Sequence, residues 1–371
     1  MLKKIIGVFK RDAVLTVAAV LAVVSCFFVP PDRQYAGYID YNTLILLFCL
    51  MLIVGGLRSQ GVFQAIGRAL LRRVHTARGV VETLVALCFF SSMLITNDVA
   101  LITFVSFGIF LLDAVGLSGS LCLTVTLMTI AGNLGSMLTP IGNPQNLYLY
   151  GLSGLSLPQF LLLMLPYAAA AAVLLLVSSA VCFRSSTVAV PEQTAETGGD
   201  RKRIAAYLVL FLVCLLSVAK ILPKPALLVI VAVSIFFLDR RLFTKADYGL
   251  LVTFVCFFVF VGNVKRFDNL QTLLGGALAG RECLVSIGVS QVISNVPAAI
   301  LLSGYTTDIP ALLIGTNLGG LGTLIASMAS LISWKQVAAR DPALKQKYLL
   351  TFTAWNVAFL VVLYLLSCIL R

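Results

Sequence analysis

The sequence "LITNDVALITF" at residues 94–104 places an amide and a carboxylate inside an apolar run that extends from Val80 to Leu112. A run of this length exceeds the roughly 20 residues of one membrane crossing, yet each arm beside the polar triplet is shorter than a full span. A second apolar segment is interrupted in the same way at Ser294-Asn295. Both patterns predict helical hairpins that enter the membrane and return to the same side, a shape tolerated where protein or a water-filled cavity surrounds the turn.

The composition also indicates a polytopic membrane protein. Hydrophobic residues make up 60% of the 371 and charged residues only 11%, which a soluble core with a hydrated surface cannot accommodate. Apolar runs long enough to cross the bilayer predict nine crossings, at residues 13–30, 41–57, 120–150, 158–183, 204–222, 225–239, 247–263, 310–333 and 348–370. The first of these is alternatively a signal peptide, because the basic N-terminus and the "VVSC" at 23–26 resemble a lipoprotein signal.

Motifs for catalysis are missing from the sequence. The nine cysteines form no CxxC pair, and there is no ATP-binding loop, redox cofactor motif or zinc-ligand spacing. We therefore expect no enzyme activity and no cofactor, apart from sodium or a proton as a coupling ion.

The basic residues predict the orientation in the membrane. If each hairpin returns to its own side, 20 of the 27 lysines and arginines lie on the side of the N-terminus. By the positive-inside rule that side is cytoplasmic, which leaves the C-terminus outside an inner (plasma) membrane. The net charge of +12 then reflects topology and attraction to the anionic lipid bilayer, and it requires no nucleic-acid partner.

An internal repeat divides the chain into two halves. The stretch "DYNTLILLFCLMLIVGGL" at 40–57 aligns without gaps with "DYGLLVTFVCFFVFVGNV" at 247–264. Each copy precedes a hairpin and then an Asn-Leu-Gly segment, and the charge count gives the halves opposite directions, the inverted plan of many secondary transporters. The predicted N-terminal repeat, 1–183, contains the cytoplasm-opening hairpin 79–113, the broken helix 120–150 and the helix 158–183. A flexible cytoplasmic linker follows at 184–203. The predicted C-terminal repeat, 204–371, contains the outward-opening hairpin 281–304, the broken helix 310–333 and the helix 348–370.

The polar tips predict a substrate site. Serine, threonine, asparagine and aspartate are preferred N-caps, and proline is preferred in the first helical turn, so each tip starts a helix. The free N–H groups and the positive end of the helix dipole then face the middle of the protein and offer a site for an anion or polar ligand. The candidate substrate-binding residues are Thr96, Asn97, Asp98, Ser294, Asn295 and Pro297.

The Asn-Leu-Gly segments predict a coupling-ion site. Glycine and proline interrupt both helices, and unwound backbone there exposes carbonyls that suit a sodium ion. The candidate cation- or proton-coupling residues are Asp98, Gly132, Asn133, Asn143, Asn146, Thr316 and Asn317. The alternative is that these glycines and polar residues only let helices pack closely.

Asp98 is the deepest acid in the predicted topology, and an intramembrane carboxylate is a functional candidate by default. It would take up a coupling proton or bind a cation. The structural alternative is an acid that interacts with the positive end of its own helix.

With "TNDVALITF", "SNVPAAILL", "GNPQN" and "NLGGLGTLIAS", the sequence resembles the ion transporter superfamily, in its citrate and arsenite permease-like branch related to the divalent anion:sodium symporters. The resemblance implies a homodimer, with a scaffold domain and a transport domain that moves as an elevator. It also implies hairpin tips that read Ser-Asn-Thr in the symporters and bind a carboxylate. Here Asp98 and Val296 stand at the third position, and the Asn-Asp pair resembles the arsenite-efflux and sodium/proton antiporter branches instead.

The sequence therefore predicts an all-α polytopic membrane protein with two inverted repeats, two re-entrant hairpins and two broken helices. The predicted function is ion-coupled secondary transport of a small anion or oxyacid. A sodium/proton or arsenite-type antiporter that uses Asp98 is the alternative. A channel is less favoured, because it would need a continuous polar pore.

Overall fold

The computed structural model describes residues 13–72, 74–188, 199–267 and 275–370, and within these ranges the chain is helical and contains no β-sheet. The helices in chain order are α1 (Ala13–Phe28), α2 (Tyr35–Tyr38), α3 (Tyr41–Ser59), α4 (Val62–Leu71), α5 (Ala77–Ser91), α6 (Asn97–Ala114), α7 (Leu121–Ser136), α8 (Pro144–Leu152), α9 (Leu157–Cys182), α10 (Arg201–Val218), α11 (Lys224–Asp239), α12 (Leu242–Lys245), α13 (Tyr248–Val264), α14 (Glu282–Ile293), α15 (Asn295–Leu302), α16 (Ile309–Leu318), α17 (Met328–Arg340) and α18 (Leu344–Leu370). A short 3-10 helix, Ser118–Ser120, precedes α7.

Among the described residues, five helical stretches are long and apolar enough to cross a membrane: Tyr41–Ser59, Asn97–Ala114, Ser118–Ser136, Leu157–Cys182 and Leu344–Leu370. The all-α polytopic class is thereby confirmed, whereas the count of nine crossings stays a prediction. One predicted length was wrong. The second arm of the first hairpin, α6, has 18 residues and reaches a full span, because the helix continues past Leu112 through Asp113 to Ala114.

The helices pack in two groups. In the first, α1 packs along α13, and α3 packs against α10 and α11. In the second, α7 lies among α5, α6, α9 and α18, and α14 packs against α15 and α16. Each group contains helices from both halves of the sequence.

The repeated Asp-Tyr pair begins a helix in both copies. Asp40 caps α3, where its carboxylate accepts hydrogen bonds from the backbone N–H groups of Asn42 (3.0 Å) and Thr43 (3.2 Å). Asp247 caps α13 by accepting the backbone N–H of Leu250 at 3.0 Å. The aspartates of the repeat are therefore N-caps, which explains their position immediately before each apolar run.

Loops that the charge count assigns to one side lie in contact with each other. Two such contacts join loops predicted to be cytoplasmic, and two join loops predicted to be external. The contacts are Arg340 with Asp113 (2.6 Å), Asp200 with Gln60 (3.0 Å), Arg266 with Asp32 (2.7 Å) and Lys220 with the carbonyl of Leu155 (3.0 Å). The pairing of the loops agrees with the predicted topology, while the side that faces the cytoplasm stays a prediction.

The predicted linker 184–203 is held at both of its described ends. The N–H of Ala77 donates to the carbonyl of Ser186 (2.8 Å), and the N–H of Val188 donates to the carbonyl of His75 (3.0 Å). At the other end the N–H of Asp200 donates to the Gln60 side chain, and α10 begins one residue later. Residues 189–198 of the predicted tether lie outside the described residues.

Candidate functional site

The first hairpin tip joins α5 to α6. The backbone N–H of Asn97 donates to the carbonyl of Gly142 at 3.0 Å, and the Asn97 side-chain amide donates to Oδ1 of Asn133 at 3.2 Å. The Asn97 carbonyl oxygen Oδ1 accepts the N–H of Asp98 at 3.0 Å. Thr96 precedes α6 with an extended backbone but makes no side-chain cap hydrogen bond. The tip therefore begins helix α6, and the polar contacts come from Asn97, the residue next to the predicted cap Thr96.

The second tip joins α14 to α15 with a single residue between the helices. Ser294 has φ 74° and ψ 155°, a conformation found almost only in glycine that costs on the order of 1–3 kcal/mol. The backbone N–H of Asn295 donates to the carbonyl of Ala326 at 3.0 Å. Pro297 is the third residue of α15, where a missing N–H has no intrahelical partner to lose.

The two tips are attached to the rest of the protein at equivalent places. Gly142 directly precedes Asn143, the N-cap of α8, and Ala326 directly precedes Ser327, the N-cap of α17. Each hairpin is therefore tied, through a backbone hydrogen bond, to the point where a second half-helix begins.

Both predicted broken helices are interrupted. The first is α7, a break over residues 137–143 and α8, and the second is α16, a break over residues 319–327 and α17. At Gly142 an added Cβ would collide with the carbonyl of Ser136, so the break closes on itself only with glycine there. Gly322 has φ +104°, a backbone conformation that side chains disfavour.

The asparagine of each half binds the half-helix of the other half. Asn133, on α7, accepts a hydrogen bond from the Ser327 hydroxyl at 3.0 Å and donates to the Ser330 hydroxyl at 3.5 Å. Asn317, on α16, accepts from the Asn143 amide at 2.9 Å and donates to Oδ1 of Asn146 at 2.5 Å. We call these four contacts the amide clasp.

The amide clasp is buried and reciprocal. Asn133, Asn143, Asn146 and Asn317 are between 0 and 4% exposed. In both halves the partners are the N-cap of the second half-helix and the residue three positions later. Because each contact joins sequence-distant segments, the clasp fixes the two breaks against each other.

Two side-chain amides hold the backbone of the breaks. The Asn146 amide donates to the carbonyls of Met137 and Thr139, both at 3.1 Å. The Gln291 amide donates to the carbonyls of Gly319 (3.0 Å) and Leu321 (2.9 Å). Sequence reasoning missed Gln291, although a glutamine on an otherwise apolar hairpin arm is a usable signal.

Two predicted coupling residues lie apart from the amide clasp. The Thr316 hydroxyl donates to the carbonyl of Leu312 in its own helix at 2.8 Å. Gly132 faces Leu101 of α6, whose side chain would obstruct an added Cβ. Both residues contact neighbouring helix atoms in this structure, and their role in coupling stays a prediction.

Asp98 lies in the first turn of α6 and is half-buried. Within the described ranges its carboxylate makes no hydrogen bond or ion pair with another side chain. Its backbone N–H is bound to Asn97. The carboxylate is thus available to a ligand or ion.

A group of buried hydroxyls continues from the amide clasp and was not predicted. The Thr129 hydroxyl donates to the Ser333 hydroxyl at 2.8 Å and lies 3.4 Å from the Tyr348 hydroxyl. All three residues are fully buried, as is Ser330. These hydroxyls extend the polar interior along α7, α17 and α18.

The chemistry of the site suits a hard cation such as sodium better than a transition metal. In the parts of the chain that the structure describes, no cluster of histidine, cysteine, aspartate and glutamate has the arrangement of a metal site. Amide and backbone oxygens are the ligands that hard cations prefer. The Asn143 and Asn317 oxygens each accept a hydrogen bond, so a bound ion would have to replace these contacts or use backbone carbonyls.

Comparison with known proteins agrees with this architecture. A model of the citrate transporter family matches residues 4–318. The chain is 33% identical over 318 residues to the inner membrane protein YbiR of Escherichia coli, an alignment that covers 85% of each chain. It is 28% identical over 298 residues to an uncharacterized transporter of Methanocaldococcus jannaschii, covering 80% of each chain.

A silicon efflux transporter of Oryza sativa is 34% identical over 156 residues, which are 42% of this chain and 31% of that protein. The family match extends over most of the sequence, and the similarity to YbiR covers the same large share of both proteins. The chain therefore belongs to the citrate transporter family.

Proposed function

We propose that this membrane transporter is an ion-coupled secondary active transporter that moves a small anion or oxyacid by an elevator mechanism. The observation that carries the proposal is the convergence of four elements. Two hairpin tips are each bound to the break of a discontinuous helix, and the two breaks are bound to each other through the amide clasp. Discontinuous helices of this kind supply free backbone groups at substrate and ion sites of secondary transporters.

The side chains at the tips favour a substrate of low charge. Among the described residues, no lysine or arginine hydrogen-bonds any of the predicted site residues, and Asp98 is the ionisable side chain there. A tricarboxylate would meet an acid and no compensating cation, whereas a weakly acidic oxyacid can be held by amides and N–H groups. Citrate appears in the description of the family, and silicon appears in the name of a rice relative. Of these two substrate classes, the tip residues favour a weakly acidic oxyacid over citrate.

The two helix groups supply the parts of an elevator. The group of α1, α3, α10, α11 and α13 would be the scaffold, and the group that contains both tips would move as the transport domain. The backbone hydrogen bonds at Asn97 and Asn295 attach the tips to the moving group. A homodimer formed through the scaffold is part of this proposal.

Asp98 is proposed as the coupling residue. A carboxylate without a protein partner at this depth requires a proton, a cation or water to offset an insertion cost of about 2.5–3.5 kcal/mol. If the cation is itself the transported species, the protein is a sodium/proton antiporter. If arsenite is exchanged for a proton, it is an arsenite-type antiporter. The unpartnered carboxylate is compatible with both alternatives.

The test is transport into proteoliposomes. Citrate, arsenite, silicic acid and phosphate would be offered with and without a sodium or pH gradient. We expect gradient-driven movement of an oxyacid and no movement of citrate, and accumulation of citrate alone would refute the proposed substrate class.

The site assignment is tested with Asn295→Ala. The Asn295 side chain lies at the tip beside Ser294 and Gly320, and its loss should weaken the apparent substrate affinity about tenfold or more if it binds the substrate. Asn356→Ala is the matched control, since Asn356 is a buried asparagine whose one hydrogen bond within the described ranges goes to the carbonyl of Phe352 in its own helix. Equal affinities in both variants would mean that Asn295 only shapes the tip.

The proposed orientation places the N-terminus in the cytoplasm and the C-terminus outside the inner membrane. A cysteine at Ser186 should be shielded from an impermeant thiol reagent in intact cells, whereas a cysteine at Arg33 should be labelled. The opposite labelling pattern would reverse the orientation.

A further inference from the structure

A cavity of about 200 Å³ lies between the two helix groups, away from the amide clasp. Its walls come from the start of α3, the end of α8, and the turn that joins α10 to α11. Tyr150 on α8 lies seven residues after Asn143, which is about 10 Å along the chain direction of that helix. Because α8 packs against α15 and α16, the cavity borders the proposed moving group on one side and the proposed scaffold on the other.

Two residues in the cavity wall carry buried hydroxyls without a partner among the described residues. Ser217 is 0% exposed and Tyr150 is 4% exposed, and both residues line the cavity. Neither hydroxyl has a hydrogen-bond partner among the described residues. A buried hydroxyl without a partner is destabilising, so these two groups point to a ligand that accepts hydrogen bonds.

Two lysines stand at the same cavity. The Lys220 ammonium donates to the carbonyl of Leu155 at 3.0 Å and lies 4.9 Å from the centre of the Tyr150 ring. Lys224, the first residue of α11, is half-buried at the cavity wall. In the described ranges neither lysine takes part in an ion pair with an acid. Both ammonium groups retain protons for a ligand.

The backbone at Lys220 supports a role for its side chain. Lys220 has φ 65°, the left-handed conformation at the end of α10 where glycine is usual. A lysine there carries a conformational penalty that glycine would avoid. In this backbone conformation the Lys220 ammonium group lies over the Tyr150 ring, beside the cavity.

Asp40 is the acid at this cavity, and its charge is largely engaged. Its two oxygens accept hydrogen bonds from the Asn42 and Thr43 backbone and from the Thr43 hydroxyl (2.6 Å). With one carboxylate against two ammonium groups, the cavity is positive by one charge. The cavity wall also contains the hydroxyls of Ser217 and Tyr150, which have no partner among the described residues.

We propose that this cavity is a second anion site, which binds a phosphate group through Lys220, Lys224, Ser217 and Tyr150. The volume holds such a group, since one water occupies about 30 Å³ in the liquid. The phosphate belongs either to a lipid headgroup or to a free anion. When bound, it connects α8 to the turn between α10 and α11 and restrains their relative movement.

The experiment measures binding by the purified full-length protein, without transport. Thermal unfolding in detergent is followed against increasing inorganic phosphate, and separately against short-chain phosphatidylglycerol with phosphatidylcholine as the zwitterionic comparison. We expect saturable stabilisation by phosphate, by phosphatidylglycerol or by both. Stabilisation by phosphate indicates a free anion, and stabilisation by phosphatidylglycerol alone indicates a lipid headgroup. Stabilisation by neither probe overturns the proposal.

Variants separate this site from general ionic effects. Lys220→Gln combined with Lys224→Gln should raise the half-saturating concentration about tenfold or more, because two charge-assisted hydrogen bonds are lost. Lys345→Gln combined with Lys347→Gln removes the same charge at exposed positions elsewhere and should leave that concentration unchanged. Equal effects of the two double variants would overturn the proposal.

Ser217→Ala adds a readout that does not depend on charge. It removes a buried hydroxyl that has no partner, so the thermal midpoint without ligand should rise. The stabilisation by the anion should shrink in the same variant. A lower midpoint without ligand would show that the hydroxyl already has a partner, such as ordered water, and would overturn its assignment to the anion site.

Discussion

Replacing Asn317 by alanine tests whether the amide clasp holds the two halves together. The Asn317 side chain makes three hydrogen bonds: from Asn143 at 2.9 Å, to Asn146 at 2.5 Å and to the carbonyl of Leu313 at 2.8 Å. The three asparagines are between 0 and 3% exposed. Truncation would therefore leave buried polar groups that water cannot readily reach.

The expected loss follows from these contacts. Each hydrogen bond contributes about 1 kcal/mol net, and each buried partner left unsatisfied adds about 1–3 kcal/mol. Because Asn143 also donates to Ser136 at 3.1 Å, it keeps one partner. We expect Asn317→Ala to lower the free energy of unfolding by roughly 3–6 kcal/mol, a large part of the 5–15 kcal/mol typical of a folded protein.

The assay is reversible unfolding in mixed micelles, titrated with sodium dodecyl sulfate. Asn356→Ala is the control, because Asn356 is fully buried but bonds only the carbonyl of Phe352, and its own oxygen has no partner in the described structure. This control should lose about 1 kcal/mol. If Asn317→Ala were no less stable than Asn356→Ala, the amide clasp would not connect the halves.

Three further predictions test other features. Asp98→Asn keeps the shape of the tip but cannot ionise, so ion-driven accumulation of the substrate should vanish while substrate exchange survives. The pH dependence of transport should also flatten. An unaltered dependence of transport on sodium and pH would leave Asp98 with only a structural role. Ser294→Gly should stabilise the protein by about 1 kcal/mol, since it relieves a glycine-type conformation, whereas Ser294→Ala keeps the strain and should show no such gain. The Arg266 guanidinium holds the pKa of Asp32 below its usual range, so this contact stabilises the protein above about pH 4 and is lost as the pH falls through the lowered pKa. The stability difference between the wild type and Arg266→Gln should accordingly shrink in acid to the part that comes from the contacts of Arg266 with Gln34 and the Tyr38 ring. A constant difference down to the acid limit would exclude the ion pair as its cause.

Local signals in the sequence located the helix ends at the site. Proline, asparagine and glycine act within one helical turn, so the start of α8 and the start of α15 follow from nearby residues. The Asp-Tyr repeat is likewise explained by capping at Asp40 and Asp247. Thr96 shows the limit of this reasoning, because its side chain makes no cap bond although its residue type is suitable.

The hydrogen-bond partners of the polar side chains could not be predicted from the nearby sequence. Asn133 and Ser327 are 194 residues apart in the sequence, and no spacing rule relates them. Asparagines that suit a cation chemically instead bind one another, since a buried amide without a ligand requires some partner. The role of Gln291 also depends on the break that happens to lie beside it.

The attachment of each hairpin tip through its main chain has a consequence for the evolution of this family. The hydrogen bonds from Asn97 to Gly142 and from Asn295 to Ala326 use backbone atoms only, and every residue except proline has such an N–H group. Side chains at the tips can therefore be exchanged without detaching the hairpin from its half-helix. If the tips bind the substrate as proposed, a lineage can change what it carries by substitution at these positions and keep the same attachment of the hairpin.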